Sequence, residues 1–300
     1  MHLAHVFAAG ARCYAAFMER RRSRMRRIPT GKRLALGPRD IAIFKVLGRY
    51  RYLRSTYLHA FVGGASATRF KERLGDLYHE GGYLDRPSQQ WAFADARCSP
   101  VVYERAPDAV RALKAIGDAS DEERTFLSDA AHRQFLHSLL ICEALASIEL
   151  GTWESPLLRF IAWPEILARA PEATRASLTP WRIPLPSGGY LVPDGLFGLE
   201  YIQSGKNAYR FFALEADRGT MPVLRSNALQ TSVLGKIAAY REIAMRQVQR
   251  SYLGLPNLLV LLLTTSEGRL SNIVISSKSK TNATRASCSK PFRLAARRHR

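Results

Sequence analysis

The chain has 300 residues, 47% of them hydrophobic, and its 45 Lys and Arg outnumber 25 Asp and Glu for a formal net charge of +20. That apolar share suffices to bury cores in two ordinary domains and excludes a disordered chain, while the charge favours a polyanionic partner, because neutralised phosphates release condensed counterions. Nucleic acid is favoured over an anionic membrane surface, where a basic cluster gains about 1 kcal/mol per residue.

Residues 2–17 are mildly apolar but carry their positive charges after the apolar stretch, opposite to a secretory signal. The longest apolar run, around Leu258 to Leu263, is too short to span a bilayer, so no transmembrane helix is expected. Cys13, Cys98, Cys142 and Cys288 lie far apart, with no CxxC pair and no His at zinc-finger spacing. Neither a disulfide framework nor a zinc site is indicated, and a reducing, cytoplasmic setting is expected. Arg20, Arg21, Arg22, Arg24, Arg26, Arg27, Lys32 and Arg33 form a basic arm without compensating acids or hydrophobic periodicity. Residues 1–36 are therefore expected to be disordered until they track a DNA backbone.

From Gly37 the pattern turns helical. Pro38 suits the first helical position, Asp40 the first turn, and Ile41, Phe44 and Leu47 recur at helical spacing up to about Gly48. Ser55 is expected to cap a second helix carrying Leu58, Phe61 and Val62, stopped by Gly63 and Gly64. Ser66 caps a third, on which Phe70, Leu74, Leu77 and Tyr78 make one apolar stripe while Arg69, Lys71, Arg73 and Asp76 fall elsewhere on its surface. After Gly81 and Gly82, residues 83–86 and then either Trp91–Phe93 or Val101–Tyr103 read as short strands of a wing. Residues 37–106 are thus predicted to form a winged helix-turn-helix whose third helix enters the major groove. Arg69 and Arg73, with Lys71 beside them, are candidates for base or phosphate contact, since guanidinium forks match guanine edges and phosphates. Arg54 and Arg86 are expected on the DNA backbone. The same domain used for protein contact is the alternative.

Residues 107–127 read as a short helix and an acidic linker, and 128–266 as a second domain. Phe135, Leu139, Cys142, Leu145 and Ala146 give helical periodicity to about Leu150, and Leu157–Trp163 suits a strand. Extended runs at 190–192 and 196–199 flank Pro193-Asp194-Gly195, which puts Asp194 at a bend. A turn at Gly205-Lys206-Asn207 leads into a strand from Arg210 to Ala216, making a hairpin. Ser226 is expected to cap a long helix to about Gln249, before a final strand at 257–264. The order is α-β-β-β-α-β, an α/β (α+β) class overall. Residues 267–300, basic and aperiodic, are expected to be a disordered tail.

Paired in this way, Asp194 and Glu215 meet at one edge of the sheet. Two hard oxygen ligands there suit Mg²⁺ or Mn²⁺, which keeps waters for substrate phosphates, polarises a scissile phosphate and lowers the pKa of a bound water. Asp217 shares the strand face of Glu215 and is a third candidate ligand. Lys236, on the following helix, could orient water or offset developing charge. A carboxylate such as Glu215 in an apolar strand must be paired or bound to metal, whereas Asp194 after a proline also suits a simple turn, and Asp217-Arg218 an exit into solvent. His132 and His137 do not flank a Glu at i,i+4 and are expected to pack or face solvent. Trp163, Trp181, Phe211 and Phe212 are expected in the core.

The Pro193-Asp194 bend followed by Glu215-Ala216-Asp217 resembles the PD-(D/E)xK nuclease pattern. More specifically, LGPRDIAIFKVLGRYRYL, GGYLDRP, LVPDGLFGL, LEADRGT and GKIAAY resemble the replication-relaxation family of plasmids and integrative elements, over roughly residues 36–265. The resemblance implies a winged helix fused to a nuclease-like domain, with a role in plasmid replication and DNA relaxation. A typical nuclease of this fold has Lys where Asp217 stands. Relocation of that lysine to the adjacent helix, known in some PD-(D/E)xK proteins, would let Lys236 substitute, and Lys236 and Tyr240 one turn apart match the family's pattern. Glu143 and Glu165 are both candidates for the accessory acid. Gly37 stands where the family usually has a Thr or Ser cap. The expected protein binds double-stranded DNA alongside replication or conjugation proteins, as a monomer or homodimer. It is either a metal-dependent nickase using Asp194, Glu215 and Lys236 or a non-catalytic regulator or scaffold.

Overall fold

A computed structural model describes residues 22–64, 66–92, 95, 97–117, 135–218, 233–264, 266–269, 271–272 and 294–298. Expectations for residues 2–17, Arg20, Arg21, Phe93, Asp118–Arg124, His132, Ser226, Cys13, Cys288 and most of the tail fall outside these residues. The chain mixes helices and sheets, the α/β class expected. It divides into two compact units, one of Met1–Leu47 with Arg54–Asp118 and one of Gly48–Leu53 with Ala119–Arg300.

The first unit opens with α1 (Pro38–Arg49), where Pro38 supplies a preset φ and Asp40 works as a reversed cap. The Asp40 carboxylate accepts from the Gly37 amide at 2.8 Å, one half of a capping box, and the Asp40 amide donates to the Gly37 carbonyl at 3.0 Å. After β1 (Leu53–Arg54) comes α2 (Ser55–Val62). Ser55 is its first helical residue rather than its cap, and its amide is instead satisfied by the Val101 carbonyl at 2.9 Å. Gly63, at φ 70°, ends the helix. Ser66 does cap α3 (Ala67–His79), accepting from the Arg69 amide at 3.3 Å, and Phe70, Leu74, Leu77 and Tyr78 are buried together. Strands β2 (Leu84–Asp85) and β3 (Val102–Arg105) pair antiparallel in a sheet of order β1-β3-β2, and α4 (Pro107–Ala115) follows. A 3-10 turn, Ser88–Ala92, takes the place of a strand at Trp91. Its cause is Gln90, whose buried amide donates to the Pro87 and Val102 carbonyls and accepts from the Val102 amide. That side chain satisfies backbone groups a strand partner would otherwise have taken.

From Arg22 onward the basic arm is an ordered strap, contrary to the expectation of disorder. Arg22 reaches Asp76 (2.6 Å) and Glu80 (3.0 Å), Lys32 reaches Asp76 (2.6 Å), and Arg27 reaches Asp85 (2.5 Å). Thr30 and Gly31 donate their amides to Glu80, and the Ile28 amide donates to His79 Nδ1 at 3.0 Å. The compensating acids exist, but they lie on α3 and β2 rather than inside the arm. Asp76 is accordingly buried under the strap instead of on the surface of α3.

His79 must leave Nδ1 unprotonated to accept from Ile28. Burial, with the Arg86 and Arg22 charges nearby, holds its pKa down at about 4 against an ordinary 6.5. Between those values the unfolded chain binds the extra proton, so the stability His79 supports is complete above pH 6.5 and is lost as pH falls toward 4. The melting temperature of the first unit is expected to drop across that window, and His79→Gln to flatten the drop; an unchanged profile would exclude the strap contact as its origin.

In the second unit α5 (Phe135–Thr152) is apolar nearly all round. It is long and apolar enough to cross a membrane, which corrects the expectation that no segment is, but 61% of it is buried inside the protein, as in a core helix. There follow β4 (Leu158–Ile161), the short helices α6 (Trp163–Ala168) and α7 (Glu172–Arg175), and a small hairpin of β5 (Ile183–Pro184) and β6 (Tyr190–Leu191). Then come β7 (Gly195–Tyr201), β8 (Ala208–Asp217), α8 (Val233–Met245), α9 (Val248–Leu253), β9 (Leu259–Thr264) and β10 (Leu294–Arg298). The main sheet runs β10-β9-β8-β7-β4, with β4, β7 and β8 antiparallel and β8, β9 and β10 parallel. Three details differ from expectation. Trp163 opens a helix, since Pro164 suits its first turn and not a strand. The long helix is two helices, because Gln247 adopts φ 59° and redirects α9 so that Val248 and Leu253 join the core with Ile161, Tyr240 and Val260. Residues 294–298, expected to be disordered, add a parallel strand to β9.

Candidate active site

The hairpin of β7 and β8 sets the two acids. Its register pairs Gly195 with Leu214, and the Asp194 amide extends the ladder by donating to the Leu214 carbonyl at 3.0 Å. Asp194 Oδ2 then accepts from the Ala216 amide at 2.9 Å, which turns its carboxylate toward the strand position of Glu215. Both side chains are buried, Asp194 4% and Glu215 5% exposed.

Helix α8 lies over this point because β8 and β9 are parallel and need a crossover. Lys236 and Tyr240, one turn apart, both face Glu215. The Lys236 ammonium donates to Glu215 Oε2 and lies 3.7 Å from Asp194 Oδ1, and the Tyr240 hydroxyl donates to Glu215 Oε1 at 2.5 Å. Burial pushes Glu215 up to about 7, the Lys236 charge pulling it down and Asp194 pushing it further up. Burial and the Glu215 carboxylate raise Tyr240 well above its ordinary value, so it remains a donor. From α5, His137 Nε2 comes within 3.4 Å of Asp194 Oδ2. His137 was expected to pack or face solvent; no local spacing signals a contact made across 57 residues of chain.

Among the described residues, no group of three or more His, Cys, Asp or Glu is arranged to hold a metal. The third acid, Asp217, faces Arg269 instead, with Nε–Oδ2 at 2.6 Å and an Nη–Oδ1 contact of 3.3 Å. The expectation of a third ligand there is therefore not met. Asp194 Oδ1 and Glu215 Oε2 nonetheless converge on one cation, the Lys236 ammonium, and a two-carboxylate donor set of this kind fits Mg²⁺ or Mn²⁺. Of the accessory acids, Glu165 is bound by Arg159 (2.7 and 2.9 Å) beside Glu200, which lies some 20 Å along β7 from Asp194 at strand spacing. Glu143 is buried on α5, but six residues from His137 it faces another side of that helix.

The expected DNA contacts separate into two groups. Arg69 and Lys71 are exposed on α3. Arg73 is held by Asp40 (2.9 and 2.5 Å) and the Ala35 carbonyl (2.7 Å), so it locks α3 to α1 instead of projecting as the expected base contact. Arg86 is sandwiched between the Tyr78 and Tyr103 rings (4.1 and 5.2 Å to the centroids) and donates to the Arg24 carbonyl at 2.9 Å. It clamps the strap rather than reaching outward, so it is not a backbone contact. Arg54 is half-buried at the start of α2. Arg39, not singled out by its sequence, is exposed on α1, and a Cβ at Gly64 would stand 3.2 Å from its guanidinium.

The family model described as replication-relaxation matches residues 44–258, a span that takes in Asp194, Glu215, Asp217, Lys236 and Tyr240 but neither the strap nor Arg269. No curated protein and no solved structure matches the chain.

Proposed function

Because this chain belongs to the replication-relaxation family, we propose that it binds the duplex DNA of a mobile genetic element and nicks one strand with Mg²⁺ or Mn²⁺ held by Asp194 and Glu215. The observation that carries the reading is Lys236, which α8 delivers to both acids at once. In PD-(D/E)xK nucleases, which the α-β-β-β-α-β order resembles, a lysine stands where this chain has Asp217; Lys236 supplies the missing cation from the neighbouring helix. The bound metal would polarise the scissile phosphate and acidify a water. Asp194 and Glu215 would hold it, Tyr240 would fix the Glu215 carboxylate, His137 would steady Asp194, and Lys236 would offset the developing phosphate charge. The three helices and small sheet of the first unit read as a winged helix, with Arg69 and Lys71 of α3 and the exposed Arg39 of α1 as phosphate or base contacts. Replication or conjugation proteins of the element are the proposed further partners, and the cytoplasm the proposed setting.

The test is supercoiled plasmid incubated with the full chain and Mg²⁺ or Mn²⁺. Open-circle product is expected from the native chain and none from Asp194→Ala or Glu215→Ala. Nicking that persists in both variants sinks the site. A second reading, a regulator without catalysis, is favoured by the way Lys236 already neutralises the acids, and binding without any metal-dependent nicking would establish it. For binding, Arg69→Ala with Lys71→Ala is expected to lower duplex affinity and to flatten the slope of log affinity against log salt by about 2. Arg73→Ala should act through stability instead, with a lower melting temperature; an unchanged slope in the Arg69/Lys71 variant removes α3 as the recognition helix.

A further inference from the structure

We infer that Asp217, Arg269 and Thr264 form a phosphate-holding subsite beside the Asp194–Glu215–Lys236 cluster, in which Asp217 orients the Arg269 guanidinium toward a DNA phosphate neighbouring the one attacked. The inference rests on the reading of the cluster as a DNA site. Asp217 stands two residues beyond Glu215 on β8, so its side chain leaves the same face of the sheet about 7 Å further on, the scale of one nucleotide of extended backbone. Both strands of the parallel pair β8–β9 end here, and open α/β sheets take their ligands at the carboxyl ends of such strands. The register places Thr264 of β9 directly opposite Asp217, and in a parallel pair the two side chains share a face.

Two features point to a ligand rather than to a plain ion pair. Thr264 is 3% exposed, and its hydroxyl has no hydrogen-bond partner among the described residues. A buried hydroxyl without a partner is costly, and a phosphate oxygen beside Arg269 would supply its acceptor. Asp217 grips the guanidinium through Nε and one Nη, fixing the plane of a planar fork whose geometry suits phosphate. The Arg269 side chain is 17% exposed, so the buttressed residue is not sealed from solvent. This also gives the acid at that strand position a task of its own: with Lys236 serving Asp194 and Glu215, Asp217 is the positioning residue of a second cation, Arg269, contributed from outside the family-matched residues.

Affinity of the full chain for a short mixed-sequence duplex, measured in EDTA over a salt series, tests the subsite apart from cleavage. Asp217→Asn with Arg269→Gln leaves net charge unchanged and strands no buried ion. It is expected to reduce the slope of log affinity against log salt by about 0.9, the loss of one phosphate contact. Arg269→Lys should keep the slope while weakening binding, and Thr264→Val should weaken binding with the slope intact. A native slope in the paired variant overturns the inference, as does native affinity in Thr264→Val should the paired variant fail to fold. If the native chain binds no duplex, both this subsite and the DNA reading fall. A reduced slope without metal-dependent nicking leaves the subsite standing and removes only the nuclease.

Discussion

Lys236→Met is expected to lower metal-dependent nicking by about 10²–10³-fold, the loss typical of one electrostatic stabiliser, with duplex affinity in EDTA nearly unchanged. The ammonium contacts Glu215 and lies 3.7 Å from Asp194, and its side chain is 17% exposed, so it can serve the acids in the free protein and a phosphate in the complex. Removing it leaves two carboxylates facing each other in a buried site with the compensating charge gone. Without metal the variant should melt lower than the native chain. Added Mg²⁺ should then raise its melting temperature by more than it raises that of the native chain, since the ion replaces the lost cation. Lys236→Arg, which keeps the charge but not its shape, is expected to fall between. Native nicking rates in Lys236→Met would show that the lysine only neutralises the acids, and the relocated-lysine account would fail.

What the sequence displayed of this fold is what neighbouring residues dictate. The Ser66 cap, the apolar stripe of α3 and the β7–β8 hairpin follow from spacings of three, four and two residues, and each is present. The Asp194–Glu215 meeting point was legible for the same reason, because a hairpin register is set by its turn. Lys236 was legible through family likeness and the one-turn spacing to Tyr240. Contacts between distant segments left no periodic trace. The strap joins residues 44 to 75 positions apart, Arg73 reaches Asp40 across 33, and Arg269 reaches Asp217 across 52. A run of arginines looks equally solvated whether its acids are absent or merely remote. The same limit concealed His137 and misassigned Arg86, whose two aromatic neighbours come from α3 and β3. At Gln247 no Gly or Pro marks the break, since burial of Val248 and Leu253 imposes it.

Glu215→Gln is expected to stabilise the protein at pH 8 and to abolish nicking together. Burial raises the folded-state pKa of Glu215 to about 7 from an ordinary 4.5. Between those values the folded chain binds more protons than the unfolded one, so stability falls as pH rises from 4.5 through 7 and stays lowered above. The ionised carboxylate therefore opposes folding at pH 8 by up to about 3 kcal/mol, even with Lys236 and Tyr240 bonded to it. Glutamine resembles the protonated acid in shape and charge, so the variant should melt above the native chain at pH 8 and close to it at pH 4.5. Magnesium at pH 8 should raise the melting temperature of the native chain and leave the variant nearly unmoved, because one of two ligands is gone. A variant less stable than the native chain at pH 8 would make Glu215 a structural partner of Lys236 and Tyr240. A gain in stability with loss of nicking is the signature of a carboxylate retained against the interest of the fold, for what it binds.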